Sequence, residues 1–215
     1  MQTWPPHLAG LPMLDARWYD STTLGVYDAV QGMDIRPSSV STKALWLVPF
    51  LQWAAGPVRY TEMGLDVDNA FMGSDFTYGI YANINGVPGR LLHAAPTFNA
   101  AVAGPATQAF LNPVLLAPGM YWLALLNDSR VEVAGWTGGS GIGASEGFST
   151  LGTPDMASTA SLNKQWGWFI NNIDPAIIPG LPSNLSPLPA AGASPPGPLV
   201  LGIGFDIPRL GLLVG

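Results

Sequence analysis

Glycine and proline recur so densely along this chain, 26 and 21 of its 215 residues, that helices of ordinary length would be broken repeatedly. Proline removes a backbone donor and clashes with the preceding helical turn, and an interior glycine costs about 1 kcal/mol relative to alanine. Because the two residues are spread without a fixed period, the pattern predicts many short strands joined by turns and long ordered loops, not a propeller or solenoid.

The strand signals are clearest in the middle. Ala44–Phe50 is an apolar run, and Tyr60 to Asp68 alternates, with Met63, Leu65 and Val67 on one face and Glu62, Asp66 and Asp68 on the other. That period of two predicts a half-buried strand. Phe76–Asn83 runs into Asn85-Gly86, a pair that adopts the positive φ angles of a tight hairpin turn, and the returning strand is expected to begin at Leu91 and Leu92, after Pro88-Gly89. Pro118-Gly119 marks a second turn, after which Met120–Leu126 is apolar throughout and suits a strand covered on both faces. Gly135 to Asp155 is rich in Gly, Ser and Thr and is expected to be an extended loop. Strand composition returns at Lys164–Ile170, and a Pro-rich connection from Asp174 to Pro198 precedes a last apolar strand, Leu199–Phe205. About eight strands in one domain predict an all-β, two-sheet sandwich of jelly-roll type.

Charge and cysteine content narrow the function classes. Only 10% of residues are charged against 48% hydrophobic, well below the roughly 25% charge of an ordinary soluble protein, so much of the surface is expected to be covered by neighbours. The net charge of −6 with no basic run disfavours nucleic-acid binding. No apolar run reaches the roughly 18 residues that span a bilayer, and the start, Met1-Gln2-Thr3-Trp4-Pro5-Pro6, lacks the basic and apolar segments of a secretory signal. The expectation is therefore no membrane insertion and assembly in the cytosol. With no cysteine, disulfides, thiolate catalysis and Cys-based zinc sites are excluded.

Residues able to do chemistry are few. His7 and His93 have no spaced partner for metal or triad chemistry. Gly139–Ala144 matches the G-x-G-x-x-A pattern but is followed by no helical segment, which favours a plain loop over a dinucleotide site. Asp66, Asp68 and Asp75, with Asn69 nearby, are the residues that would offer oxygen ligands to a structural Ca²⁺. Their spacing falls short of a calcium loop, so solvated turn carboxylates are expected and no cofactor is assigned. Glu62, Glu132 and Glu146 cannot be set opposite one another from sequence, and no glycosidase pair is nominated. Trp136, Trp166 and Trp168 are candidate sugar-stacking platforms, since a flat ring buries the apolar face of a pyranose. Trp166 and Trp168 fall on one face of a strand, where core packing is the stronger expectation, and Trp136 falls in the Gly-rich loop.

Four strings in order carry a resemblance: Arg17-Trp18-Tyr19-Asp20, Leu47-Val48-Pro49-Phe50, Tyr78 through Gly89 with its Gly-Ile-Tyr-Ala and Gly-x-Pro-Gly pieces, and Leu116 through Ala124. Their order and spacing resemble a jelly-roll module of phage tail-fibre and related virion surface proteins, itself similar to carbohydrate-binding β-sandwiches. The likeness covers roughly Arg17 to Phe205, without a fibrous shaft, heptads or collagen-like repeat. It implies a multimeric part of the virion surface, in some cases touching host glycans.

The combined expectation is an N-terminal arm (1–16), a jelly-roll domain (17–207) and a C-terminal tail (208–215). Trp4, Pro5, Pro6, Leu8, Leu210, Leu212 and Leu213 would make assembly contacts with other virion proteins or within a homo-oligomer such as a trimer. The chain is expected to be a non-enzymatic structural component of a tailed-phage virion, on a tail fibre or the head surface and engaged in host attachment. The alternatives are a capsid decoration (cement) protein and a carbohydrate-binding module for host surface glycan.

Overall fold

A computed structural model describes residues 18–20, 30–35, 43–52, 54–70, 74–85, 87–99, 101–136, 167–173, 180–185, 200–204, 207–208 and 210–215. These contain fourteen strands and no helix: β1 (Trp18–Asp20), β2 (Val30–Ile35), β3 (Lys43–Gln52), β4 (Val58–Ala70), β5 (Asp75–Ile84), β6 (Val87–Ala94), β7 (Phe98–Asn99), β8 (Gly104–Leu116), β9 (Gly119–Asn127), β10 (Val131–Trp136), β11 (Gly167–Ile173), β12 (Val200–Gly204), β13 (Ile207–Pro208) and β14 (Gly211–Val214). Among these residues no helix is long and apolar enough to cross a membrane.

The strands form two antiparallel seven-stranded sheets. Sheet A follows the order β1-β14-β4-β10-β13, with β8 on the other side of β4 and β2 on β10; sheet B runs β12-β11-β3-β9-β5-β6, with β7 also on β5. The alternation in β4 does what its period requires: Met63, Leu65 and Val67 are buried and Asp66 and Asp68 are exposed. Inward side chains from both sheets, among them Trp46, Val48 and Phe50 of β3, Tyr78 and Ile80 of β5, Phe110 and Val114 of β8 and Leu123 and Leu125 of β9, share one apolar core with those of β4. Each such large side chain contributes about 1.5–3 kcal/mol by leaving water. The Tyr78 hydroxyl donates to the Ala106 carbonyl at 2.7 Å, tying β5 to β8 across the layers. The buried Gln52 amide donates to the carbonyls of Gly56 and Leu116 and accepts from the Ala54 N–H, pinning the β3–β4 turn to the end of β8.

Sheet B is covered on both faces at its centre. Leu45, Leu47, Tyr81, Trp122, Ala124 and Leu126 make a second cluster on its outward side, closed by Leu181 and Leu185 from the Pro-rich connection. Residues 180–185 are strapped along β6: the Leu91 N–H donates to Ser183 O at 2.9 Å, the Leu185 N–H to Gly89 O at 3.0 Å, and the Tyr81 hydroxyl to Pro182 O at 2.8 Å. The doubly covered strand expected after Pro118-Gly119 is β9, in which Trp122 through Asn127 are all buried.

Several sequence expectations are corrected. The C-terminal residues are not an appended tail. β14 lies between β1 and β4, with Leu212 paired to Tyr19 and Met63, and Leu210 and Leu212 are wholly buried in the core. The sandwich therefore extends to Val214, past the expected boundary at 207. Asn85 has φ 54°, and Ile84 pairs with Val87 across the hairpin, as the Asn-Gly signal predicts. Yet Pro88-Gly89 lies inside β6, because that turn is already closed before it. Pro118-Gly119 is a corner between sheets and not a hairpin: β8 belongs to sheet A and β9 to sheet B. The tally of eight strands missed β10, although Val131 and Val133 flank Glu132 there, and the first half of β8, whose Gly, Ala and Thr content gives little apolar signal.

Candidate functional site

The outward face of sheet A carries an exposed indole, Trp18, among acidic side chains of β4. Cross-strand partners share a face, so the register sets Trp18, Leu213, Glu62 and Ala109 in one row across β1, β14, β4 and β8. The next outward row on the last three of these strands is Gly211, Gly64 and Thr107, and beyond it Asp66 faces Pro105. Two neighbouring glycines leave a floor without side chains. The Trp18 ring lies over it, with its Cη2 atom 3.2 Å from where a Cβ on Gly64 would stand, and Thr107 Cγ2 closes the same spot at 2.9 Å. Trp18 nonetheless remains 44% exposed.

The second feature is the rim formed by β8. This 13-residue strand pairs with β4 alone among the described residues. The pairing is interrupted between Tyr60 and Glu62 of β4, which face Val114 and Ala109, so Phe110 to Pro113 form a bulge, with Phe110 turned into the core and Leu111, Asn112 and Pro113 exposed. Leu111, in that bulge, is 80% exposed and Leu115 is 65% exposed. A bulge and two prolines, Pro105 and Pro113, limit indiscriminate strand addition along such an edge, while the leucines leave it apolar.

The buried tyrosines of the sandwich serve packing. Burial pushes the hydroxyls of Tyr78 and Tyr81 far above the ordinary tyrosine range. Tyr60 moves the same way, through burial first and then the neighbouring Tyr19 and Tyr121, and its hydroxyl has no hydrogen-bond partner. Desolvation holds His93, half-buried on β6, below its ordinary value. At the far end of the sandwich Asp128 accepts from the Asp75 N–H at 2.9 Å and the Ser129 hydroxyl at 3.1 Å, a turn-capping arrangement.

The sequence candidates fall as follows. Trp136 is the last residue of β10, paired with Ile207 and Val30, and so belongs to a strand and not to the Gly-rich loop. Trp168 is in β11, opposite Leu47 of β3 and Ile203 of β12. Trp166, His7, Glu146, Gly139–Ala144 and the arm residues Trp4, Pro5, Pro6 and Leu8 lie outside the described residues. Of the three C-terminal leucines, Leu210 and Leu212 face the core, and Leu213 lies half-buried on the outward face. Asp66 and Asp68 sit on β4 and Asp75 on β5 of the other sheet, and no group of three or more His, Asp or Glu among the described residues is placed to hold a metal ion. Trp18 escaped the list of stacking candidates because one residue in a three-residue strand gives no sign of which way it faces. Comparison with protein-family models, curated proteins and solved structures finds no match to this chain.

Proposed function

We propose that the chain is a non-enzymatic structural component of a tailed-phage virion, a jelly-roll sandwich mounted on a tail fibre or the head surface. The observation that carries the reading is the β8 rim: a long strand that pairs on one side only among the described residues and bears Leu111 and Leu115 in water. Large apolar side chains projecting from an edge belong to a surface that another subunit covers. Support for the fold comes from the chain's repeated passage between layers, since β3, β5 and β9 lie in sheet B while β4, β8 and β10 lie in sheet A. The strings that resemble virion modules fall on β1, β3, the β5–β6 hairpin and the β8–β9 corner. The partner at the rim is another copy of the chain or a neighbouring virion protein.

Mass spectrometry of purified particles, followed by a reconstruction, tests this. The chain should be present in many symmetric copies, with β8 in an interface. Absence from particles rejects the proposal. Density bridging capsomers on the head selects the cement role over a fibre. Leu111→Glu with Leu115→Glu should leave a folded chain that fails to join the particle, and normal incorporation of that variant rejects the β8 contact.

A further inference from the structure

We infer that the outward face of sheet A around Trp18 is a binding site for a neutral pyranose glycan. The case begins with the floor. Gly64 and Gly211 are adjacent outward positions on β4 and β14, and a side chain at Gly64 would occupy the volume the Trp18 ring uses: its Cβ would meet Trp18 Cη2 at 3.2 Å, Thr107 Cγ2 at 2.9 Å and Ala106 O at 3.1 Å. The indole is thus held by contact against a sheet surface instead of swinging from an edge strand, while 44% of the residue stays in water. A fixed, half-exposed indole presents a broad apolar surface at small entropic cost, and the axial C–H face of a pyranose is the complementary shape.

The polar groups around it supply the other half of recognition. In the row of Trp18 stands the half-buried Glu62; four residues further along β4, two past Gly64 on the same face, is the exposed Asp66, and beside Gly64 is the exposed Thr107. Carboxylates and a hydroxyl flanking an indole are hydrogen-bond partners for vicinal sugar hydroxyls. Asp68 continues the acidic row on β4 and Glu132 joins it from β10, with Arg59 at the far end beside Leu115. That balance repels sulfated, phosphorylated or sialylated saccharides and admits uncharged ones.

The inference rests on the virion-surface reading for the source of the glycan, the bacterial envelope, but its test is independent of where the chain sits on a particle. The full chain is titrated calorimetrically, and screened on an array, with neutral hexose, deoxyhexose and N-acetylhexosamine oligosaccharides, and with sialylated and sulfated ones as controls. Binding of one or more neutral oligosaccharides is expected, with Kd raised about tenfold or more in Trp18→Ala, less in Trp18→Phe, and several-fold in Asp66→Asn, where a solvent-facing carboxylate is changed without touching the core. Trp136→Ala should bind like the wild type. No binding to any neutral oligosaccharide overturns the site and leaves the virion reading standing. Equal affinity in Trp18→Ala, or loss in Trp136→Ala alone, overturns it as well. A change in oligomeric mass in Trp18→Ala without saccharide binding assigns the indole to a subunit contact and overturns the glycan site.

Discussion

Leu212→Ala is the perturbation that separates a structural C-terminal strand from a docking tail. Leu212 is completely buried, its neighbours in register are Tyr19 on β1 and Met63 on β4, and its side chain belongs to the core shared by both sheets. Trimming it to alanine removes three carbon groups at roughly 0.8 kcal/mol each. The β14 backbone is held on both sides and cannot close the gap, so a cavity contribution of about 1 kcal/mol is added, for a total of about 3 kcal/mol. In a chain of this size each kcal/mol shifts Tm by about 2–4 °C, so the melt should fall by about 6–12 °C. Leu213→Ala, on the outward face of the same strand, should cost under about 1 kcal/mol. The assay is thermal and urea unfolding of both variants at two protein concentrations, with far-ultraviolet circular dichroism as the readout. If Leu212→Ala melts within about 2 °C of the wild type, or if the two leucines behave alike, the placement of β14 in the core is wrong. A docking tail would instead give a concentration-dependent change, equal for both residues, in the melting of an assembly.

Other outcomes follow from equally local features. Asn85, at φ 54°, should tolerate Asn85→Gly, whereas Asn85→Val should lose about 1–2 kcal/mol in urea unfolding because a β-branched residue is strained there; equal stability of the two refutes the turn. Tyr60, Tyr78 and Tyr81 have hydroxyls displaced upward by burial. A raised folded-state pKa means that the stability these groups contribute is whole below the unfolded tyrosine value, near 10, and drains away as pH climbs above it. Absorbance at 295 nm should therefore show part of the six tyrosines ionising only together with alkaline unfolding, and a single smooth titration with the fold intact would contradict their burial. Leu185→Ala should loosen the strap, so hydrogen exchange should accelerate at the Leu91 and Leu185 amides, which now donate to Ser183 and Gly89, while β9 amides stay protected. Unchanged exchange at Leu91 would show that Leu185 does not anchor it.

Local chemistry made part of this fold legible. The period of two in Tyr60 to Asp68 identifies a strand and its buried face because neighbouring side chains of a pleated strand must point opposite ways. Asn85-Gly86 identifies a hairpin because few other pairs accept its angles. The same reasoning found the turn at Pro118-Gly119 but not its place in the fold, since a turn signal states that the chain bends and not whether the next strand pairs with the last one or joins the opposite sheet. It also detached Leu210 to Val214: a short apolar segment at a chain end reads alike whether it docks elsewhere or fills its own core, and only a partner strand distinguishes the two. The same gap hid the candidate site, where Trp18, Gly211, Gly64 and Thr107 lie far apart in sequence and meet because four strands share a register.

The sequence by itself determined the class of architecture: glycine and proline forbid long helices, alternating and continuous apolar runs supply strands, and missing cysteine leaves packing to hold the sheets together. Tertiary structure alone decided that the last strand closes sheet A, that residues 180–185 cover sheet B, and that Trp18 faces water over a glycine floor. Those outcomes depend on which strands become neighbours, and pairing between distant segments is set by the burial the whole chain achieves at once, which no single window of residues encodes.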